Sequence, residues 1–145
     1  MNSCVTYPFV KYSYPDGSFK LVTEIPIRIT NTNDGNQIDC YALIDTGADG
    51  NLFTKKLATD LGHNFQGDGV ISSVNSGIGG SSDVYKHSFS IGVFSEDLKN
   101  IVWTSNPCLT DCIDAEIPLL LGVKGFLENF ELTINYQKNT ISLRW

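Results

Sequence analysis

Apolar and polar residues alternate along several short stretches of the chain, and this period of two predicts strands. In Glu24–Thr30, "EIPIRIT", every second residue is isoleucine. Pro26 favours either an edge strand or the start of a strand, because it lacks a backbone N–H. The turn-forming segment "NTNDGNQ" follows, and then "IDCYALI" returns to β-type residues. Together they predict a β-hairpin.

The next segment predicts a short helix followed by more strands. In Thr54–Gly62, Leu57 and Leu61 have helical spacing, Thr54 suits the N-cap and Gly62 the C-cap. The stretch "VISSVNSGIGGSSDVYKHSFSIGVF" predicts a second hairpin with a Ser/Gly tip at residues 76–82, and "KNIVWTS" predicts a further strand.

The last third of the chain is patterned again. "NPCLTDCIDAE" is predicted to be a loop, "IPLLLG" a buried strand, and "VKGFLENF" about two helical turns. "ELTINYQKNTISLRW" predicts strand, turn and strand. With about seven or eight strands and two short helices, the predicted class is mainly β, as a small closed or barrel-like sheet. No repeat or linker divides residues 1–145, so a single domain is expected, with residues 1–23 as either a leading strand or an arm.

Charge and composition exclude some partners. The net charge is -6 and the ten basic residues are scattered, which argues against nucleic acid. No export signal and no apolar run of about 18 residues is present, so no membrane partner and a cytoplasmic location are expected. The four cysteines are interpreted as thiols. Cys108 and Cys112 lack a second ligand pair, and we expect no metal.

The stretch "ALIDTGAD" is the strongest candidate for chemistry, because it places Asp45 at the end of an apolar strand. A carboxylate that activates water needs a fixed position in a low-dielectric floor. The hydroxyl of Thr46 can pin the loop, and Gly47 allows close backbone approach. The alternative is an ordinary turn, in which Asp and Gly are common.

Three motifs together resemble one enzyme family. "ALIDTGAD", the glycine-rich "SGIGG" and "LLLGVKGFLENFELTINYQKNTISL" resemble the retropepsin-like aspartic peptidases, the single-domain relatives of retroviral protease, and above all their bacterial members. The resemblance covers residues 24–145. It implies an acid-protease β-barrel with one or two short helices.

The resemblance also implies roles for individual residues. Asp45 would be the catalytic aspartate, supported in its loop by Thr46, Gly47 and Ala48. The flap that closes over a bound peptide would contain Gly77, Ile78, Gly79 and Gly80. The apolar element that packs against the catalytic loop would be Leu120, Leu121 and Gly122, followed by "GFLENF" as the family's helix. Retroviral members typically carry an arginine after that glycine, where this chain has Val123 and then Lys124.

The aspartic peptidase mechanism needs two aspartates that share one proton, and the chain holds one Asp-Thr-Gly. The expected enzyme is therefore a homodimeric aspartic endopeptidase that hydrolyses peptide bonds of a protein or peptide substrate with activated water, without a cofactor. Two alternatives stay open. One is a catalytically weak or inactive module that binds a peptide or protein partner in the same fold. The other is a structural β domain in which Asp45 is a turn residue.

Overall fold

A computed structural model describes residues 3–77 and 80–145. Thirteen strands lie within these residues, together with one α-helix and one short 3-10 helix. The strands are β1 Cys4–Pro8, β2 Val10–Ser13, β3 Phe19–Val22, β4 Glu24–Asn31, β5 Gln37–Ile44, β6 Leu52–Thr54, β7 Ser72–Gly77, β8 Gly80–Phe94, β9 Ile101–Thr104, β10 Cys108–Ile113, β11 Leu120–Leu121, β12 Glu131–Asn135 and β13 Thr140–Arg144. The helix α1 is Lys55–Asp60, and the 3-10 helix is Leu127–Asn129.

Six strands close into a barrel. Their order is β10, β6, β11, β5, β4 and β8, and β8 pairs back to β10. The prediction of a mainly β, barrel-like fold is confirmed. Alternating residues of β4 fill the interior: Ile25, Ile27 and Ile29 are fully buried, together with Phe53 and Phe89. Because the hydrophobic set lies on one face of each strand, the alternation fixes the register of the barrel.

Both predicted hairpins of the central region are present, as β4–β5 and β7–β8. Pro26 lies in an internal strand, so the edge-strand alternative is wrong. Pairing of β4 with β8 begins at Ile27, whereas Pro26 faces Tyr41 on β5 alone. The proline therefore occupies the start of the strand, where the missing N–H costs no ladder bond on the β8 side.

The predicted helix after the Asp45 segment is confirmed as α1. The side-chain oxygen of Thr54 accepts a hydrogen bond from the N–H of Leu57 at 3.2 Å, which caps the helix. Gly62 follows the last turn with φ of 96°, a conformation that favours glycine.

Two predictions in the last third are wrong. The predicted loop contains β10, which lies between β6 and β8 and buries Thr110 and Cys112. Pairing on both sides outweighs its turn-forming composition. The two predicted helical turns of "VKGFLENF" reduce to the three-residue 3-10 helix, because Gly125 has φ of 88° and Phe126 has φ of -143°. The thirteen observed strands also exceed the predicted seven or eight, since several are very short.

The N-terminal residues form two separate elements. β1 pairs with β13, which itself pairs with β12, so this part is a strand of a three-stranded sheet. β2 and β3 form a two-stranded sheet of their own. Within residues 3–77 and 80–145, no helix is long and apolar enough to cross a membrane.

Candidate functional site

Asp45 begins a tight loop at the end of β5. Its N–H donates to the carbonyl of Leu121 at 3.0 Å, and its own carbonyl accepts from the N–H of Ala48 at 3.2 Å. The side-chain Oδ1 accepts from the N–H of Gly47 at 3.0 Å. The carboxylate is thus held by the backbone of the loop that it opens.

β11 is the strand of the barrel wall that holds this loop. It lies between β5 and β6, parallel to the first and antiparallel to the second. Gly122 follows β11 and packs on the loop so closely that a Cβ would stand 2.2 Å from the carbonyl oxygen of Gly50 and 2.7 Å from that of Ala48. Only glycine fits at this position without backbone movement.

Asn51 is a supporting residue that the sequence did not reveal. It is buried, and its Oδ1 accepts a hydrogen bond from the N–H of Gly122 at 3.0 Å. The backbone adds two more links, from Val123 to the carbonyl of Ala48 at 3.0 Å and from Lys124 to that of Asp49 at 2.8 Å. The available signal was a polar residue directly before the apolar run of β6, which by itself is also typical of a turn.

The outer side of the loop is uncovered. Thr46 and Gly47 are exposed, whereas Asp45 and Ala48 are half-buried. The loop therefore combines a fixed inner side with an accessible outer side, an arrangement that allows a second polypeptide to reach its carboxylate.

A cavity of about 320 Å³ adjoins the loop. Asp49 and Asn51 line it from the loop side, and Lys86 and Asp111 line it from the barrel wall. Lys86 and Asp111 form an ion pair at 2.5 Å. Asp49 makes no ion pair within the described residues, and its contact with Lys124 is between backbone atoms.

Two of the predicted flap residues, Gly77 and Gly80, belong to the β7–β8 hairpin. Gly77 and Gly80 stand opposite each other at its far end, and Ile78 and Gly79 lie outside the described residues. The base of the hairpin lies near the Asp45 loop, because Lys86 of β8 lines the same cavity as Asp49.

A second carboxylate, that of Glu24, is buried beside the strand that carries Asp45. Glu24 pairs opposite Leu43 on β5, and its carboxylate accepts a hydrogen bond from the hydroxyl of Tyr12. This hydrogen bond, together with burial, raises the pKa of Tyr12 to about 12. Tyr12 therefore stays protonated and donating at physiological pH.

The described residues, 3–77 and 80–145, contain no group of three or more His, Cys, Asp or Glu side chains that could hold a metal ion. The four cysteines are free thiols. Cys108 is half-buried, with its sulfur 3.8 Å from the hydroxyl of Thr110, and Cys112 is buried in the core.

Comparison with known proteins identifies the fold. No protein-family model matches the chain, and no curated protein does. A solved structure, a retropepsin-like aspartic protease from Rickettsia conorii, matches with a TM-score of 0.61 at 17% identity, over 100% of this chain and 93% of that one. The fold is that of the retropepsin-like aspartic proteases. At this identity the likeness concerns the fold alone, and it leaves activity and assembly to be argued from the site.

Proposed function

We propose that this chain, as one domain of residues 1–145, is an aspartic endopeptidase that acts as a homodimer. The observation that carries the proposal is the geometry of the Asp45 loop. β11 and Gly122 pack against one side of this loop, whereas Thr46 and Gly47 on its other side are exposed. A fixed carboxylate on an accessible loop, in a retropepsin-like fold, is what a two-aspartate site needs from each half.

In the dimer, the two Asp45 carboxylates share one proton, because two like charges this close cannot both be ionised. The unprotonated carboxylate takes a proton from a water molecule as its oxygen attacks the peptide carbonyl carbon. The protonated carboxylate donates its proton to the carbonyl oxygen. In the collapse of the tetrahedral intermediate the C–N bond breaks, one carboxyl group gives its proton to the amine nitrogen, and the other carboxylate takes a proton from a hydroxyl of the intermediate, which restores the shared proton. The reaction needs no metal or organic cofactor.

The remaining residues support this reaction. Thr46, Gly47 and Ala48 shape the catalytic loop, and Leu120, Leu121 and Gly122 hold it in place. The β7–β8 hairpin, to which Gly77 and Gly80 belong, acts as a flap that covers an extended protein or peptide substrate. Backbone hydrogen bonds of the strand type hold such a substrate in register.

Cleavage by the Asp45→Asn variant tests the proposal. We expect denatured protein substrates to be cleaved by the wild type and the variant to lose at least about a thousandfold in kcat/KM, because amide groups cannot share the proton. Asp68→Asn is a matched control, since Asp68 is an exposed aspartate that also precedes a glycine. Sedimentation should show the same dimer for all three proteins.

The outcomes separate the functions that the fold could serve. Undiminished cleavage by Asp45→Asn would refute the catalytic role of that residue. Peptide binding without turnover by the wild type would instead identify a binding module.

A further inference from the structure

The β2–β3 hairpin carries a concentration of exposed apolar side chains. Its thirteen residues include Tyr12, Tyr14, Phe19 and Leu21, which are 41%, 45%, 55% and 41% exposed. The two strands pair only with each other, so no larger sheet supports them. An isolated two-stranded hairpin is marginally stable in water, and exposed apolar patches mark interaction sites. We therefore expect another protein surface to pack against this hairpin.

The two faces of the hairpin differ. On one face, the hydroxyl of Tyr12 donates to the buried carboxylate of Glu24, which anchors the hairpin to its own chain. The opposite face carries Lys11, Phe19 and Leu21, as the pairing register requires. The ammonium of Lys11 lies 4.4 Å from the centre of the Phe19 ring. All three of these residues are exposed.

The hairpin is rooted beside the candidate catalytic residue. The carbonyl of Thr23, directly after β3, accepts a hydrogen bond at 3.0 Å from the N–H of Ile44, the residue before Asp45. A dimer that shares a proton between two Asp45 carboxylates brings them within about 3 Å of each other. In such a dimer the root of the hairpin lies next to the two-fold axis, within reach of the second copy.

We propose that the β2–β3 hairpin is a dimer arm, which packs its Lys11, Phe19 and Leu21 face on a second copy of the chain. This inference rests on the proposed function. Charge favours the same occupant, because residues 10–22 hold two lysines and one aspartate, whereas the remainder of the chain holds eight basic and fifteen acidic residues. The arm thus has a net positive charge and the remainder of the chain a net negative charge, so attraction between copies favours this contact.

The arm makes cleavage depend on enzyme concentration in a specific way. Because the catalytic site is incomplete in one chain, a weaker dimer loses activity at low enzyme concentration and regains it when the concentration exceeds the dissociation constant. A residue that binds substrate behaves differently, since its loss raises KM at every enzyme concentration.

The test compares two double variants with the wild type. Phe19→Ser with Leu21→Ser removes the apolar face of the arm. Val102→Ser with Ile38→Ser is the matched control, because these strand residues are similarly exposed, at 42% and 37%, and lie outside the arm. We expect sedimentation to show at least a tenfold rise in the dimer dissociation constant for the arm variant and less than a twofold change for the control.

A single charge reversal provides a second, milder test. Lys11→Glu leaves the apolar side chains in place, so it decides the matter if the double variant unfolds. We expect it to weaken the dimer at low ionic strength by at least threefold, with the effect shrinking as salt is added.

The results distinguish failure of the inference from failure of the proposed function. A wild-type dimer whose dissociation constant is unchanged by both arm variants would overturn the inference and leave the endopeptidase proposal standing. A raised KM with an unchanged dissociation constant would also overturn it, since the arm would then bind substrate. A wild type that stays monomeric at every concentration would overturn both.

Discussion

Gly122 lies against the carbonyl group of Gly50, and a Cβ at position 122 would stand 2.2 Å from that oxygen. The contact is asymmetric. A Cβ at Gly50 would find its nearest neighbour, the carbonyl oxygen of Lys124, at an ordinary 3.7 Å. The two glycines are in contact, yet only position 122 has no room for a side chain.

We expect Gly122→Ala to destabilise the fold by about 3 kcal/mol or more, because the clash is with backbone that cannot rotate away. Gly50→Ala should change the free energy of unfolding by less than about 1 kcal/mol. Urea denaturation of the two variants measures both. If Gly122→Ala loses as little unfolding free energy as Gly50→Ala, the loop backbone must shift to make room for a side chain at position 122.

Removal of the Asn51 side chain should cost about 1–3 kcal/mol, since Asn51→Ala leaves the N–H of Gly122 buried without an acceptor. Asn100→Ala is a suitable control, because Asn100 is exposed. Urea denaturation gives the stability, and kcat/KM with a peptide substrate reports the position of the Asp45 loop. If Asn51→Ala leaves the free energy of unfolding unchanged, a water molecule must accept the hydrogen bond from the N–H of Gly122 in place of the amide.

Acid should destabilise the protein through His87. This residue is buried, and its Nε2 donates to the carbonyl of Phe65 at 3.0 Å. Burial and, to a lesser degree, the nearby His63 lower the pKa of His87 below its ordinary 6.5. Because the unfolded chain then takes up the proton first, His87 contributes its full stability above pH 6.5 and loses it as the pH falls through the folded-state pKa.

The measurement is the free energy of unfolding of wild type and His87→Gln between pH 7.5 and pH 5. We expect the wild type to lose up to about 1.4 kcal/mol per pH unit more steeply than the variant, the limit for one proton. Identical slopes in the two proteins would assign the acid sensitivity to other groups.

The cysteines should differ in reactivity. Burial is the main cause that raises the pKa of Cys40 to about 11 and that of Cys112 to about 12, so neither forms much thiolate at neutral pH. Cys4 is exposed. With a maleimide at pH 7.5, mass spectrometry should find Cys4 modified first and Cys112 modified only after urea unfolding. Rapid modification of native Cys112 would contradict the buried position.

Two turns offer a reciprocal stability test. Leu98 has φ of 63° and Asn139 has φ of 54°, and asparagine tolerates this region better than leucine. We expect Leu98→Asn to raise the free energy of unfolding by about 1 kcal/mol and Asn139→Leu to lower it by a similar amount. Should Leu98→Asn destabilise instead, packing of Leu98 beside Pro26 and Tyr41, with which it lines a cavity, outweighs the strain.

Local patterns were sufficient for the elements on either side of the Asp45 loop. The alternating isoleucines of β4 and the cap at Thr54 are short-range signals, and the structure has both elements. Contacts between distant segments could not be predicted in this way. The hydrogen bond between Asn51 and Gly122 depends on two residues far apart in the chain, and no local pattern encodes it.

The errors have the same origin. β10 has turn-forming residues but becomes a strand, because β6 and β8 supply partners for its backbone on both sides. For residues 1–23 the sequence predicts either a leading strand or an arm, since the exposed aromatic residues of the β2–β3 hairpin give no inward-facing pattern to interpret. Propensity is a weak guide wherever tertiary pairing or a covering surface decides the structure.

The insertion of β11 between β5 and β6 also affects how the protein folds. The N–H of Asp45 finds its acceptor on Leu121, so this contact forms only after most of the chain has been synthesised. Closing such a long segment is slow, because its entropy is lost before the contact is gained. A nascent or truncated chain that ends before residue 120 therefore lacks the β11 contacts that fix the Asp45 loop, so the candidate site is completed only with the barrel.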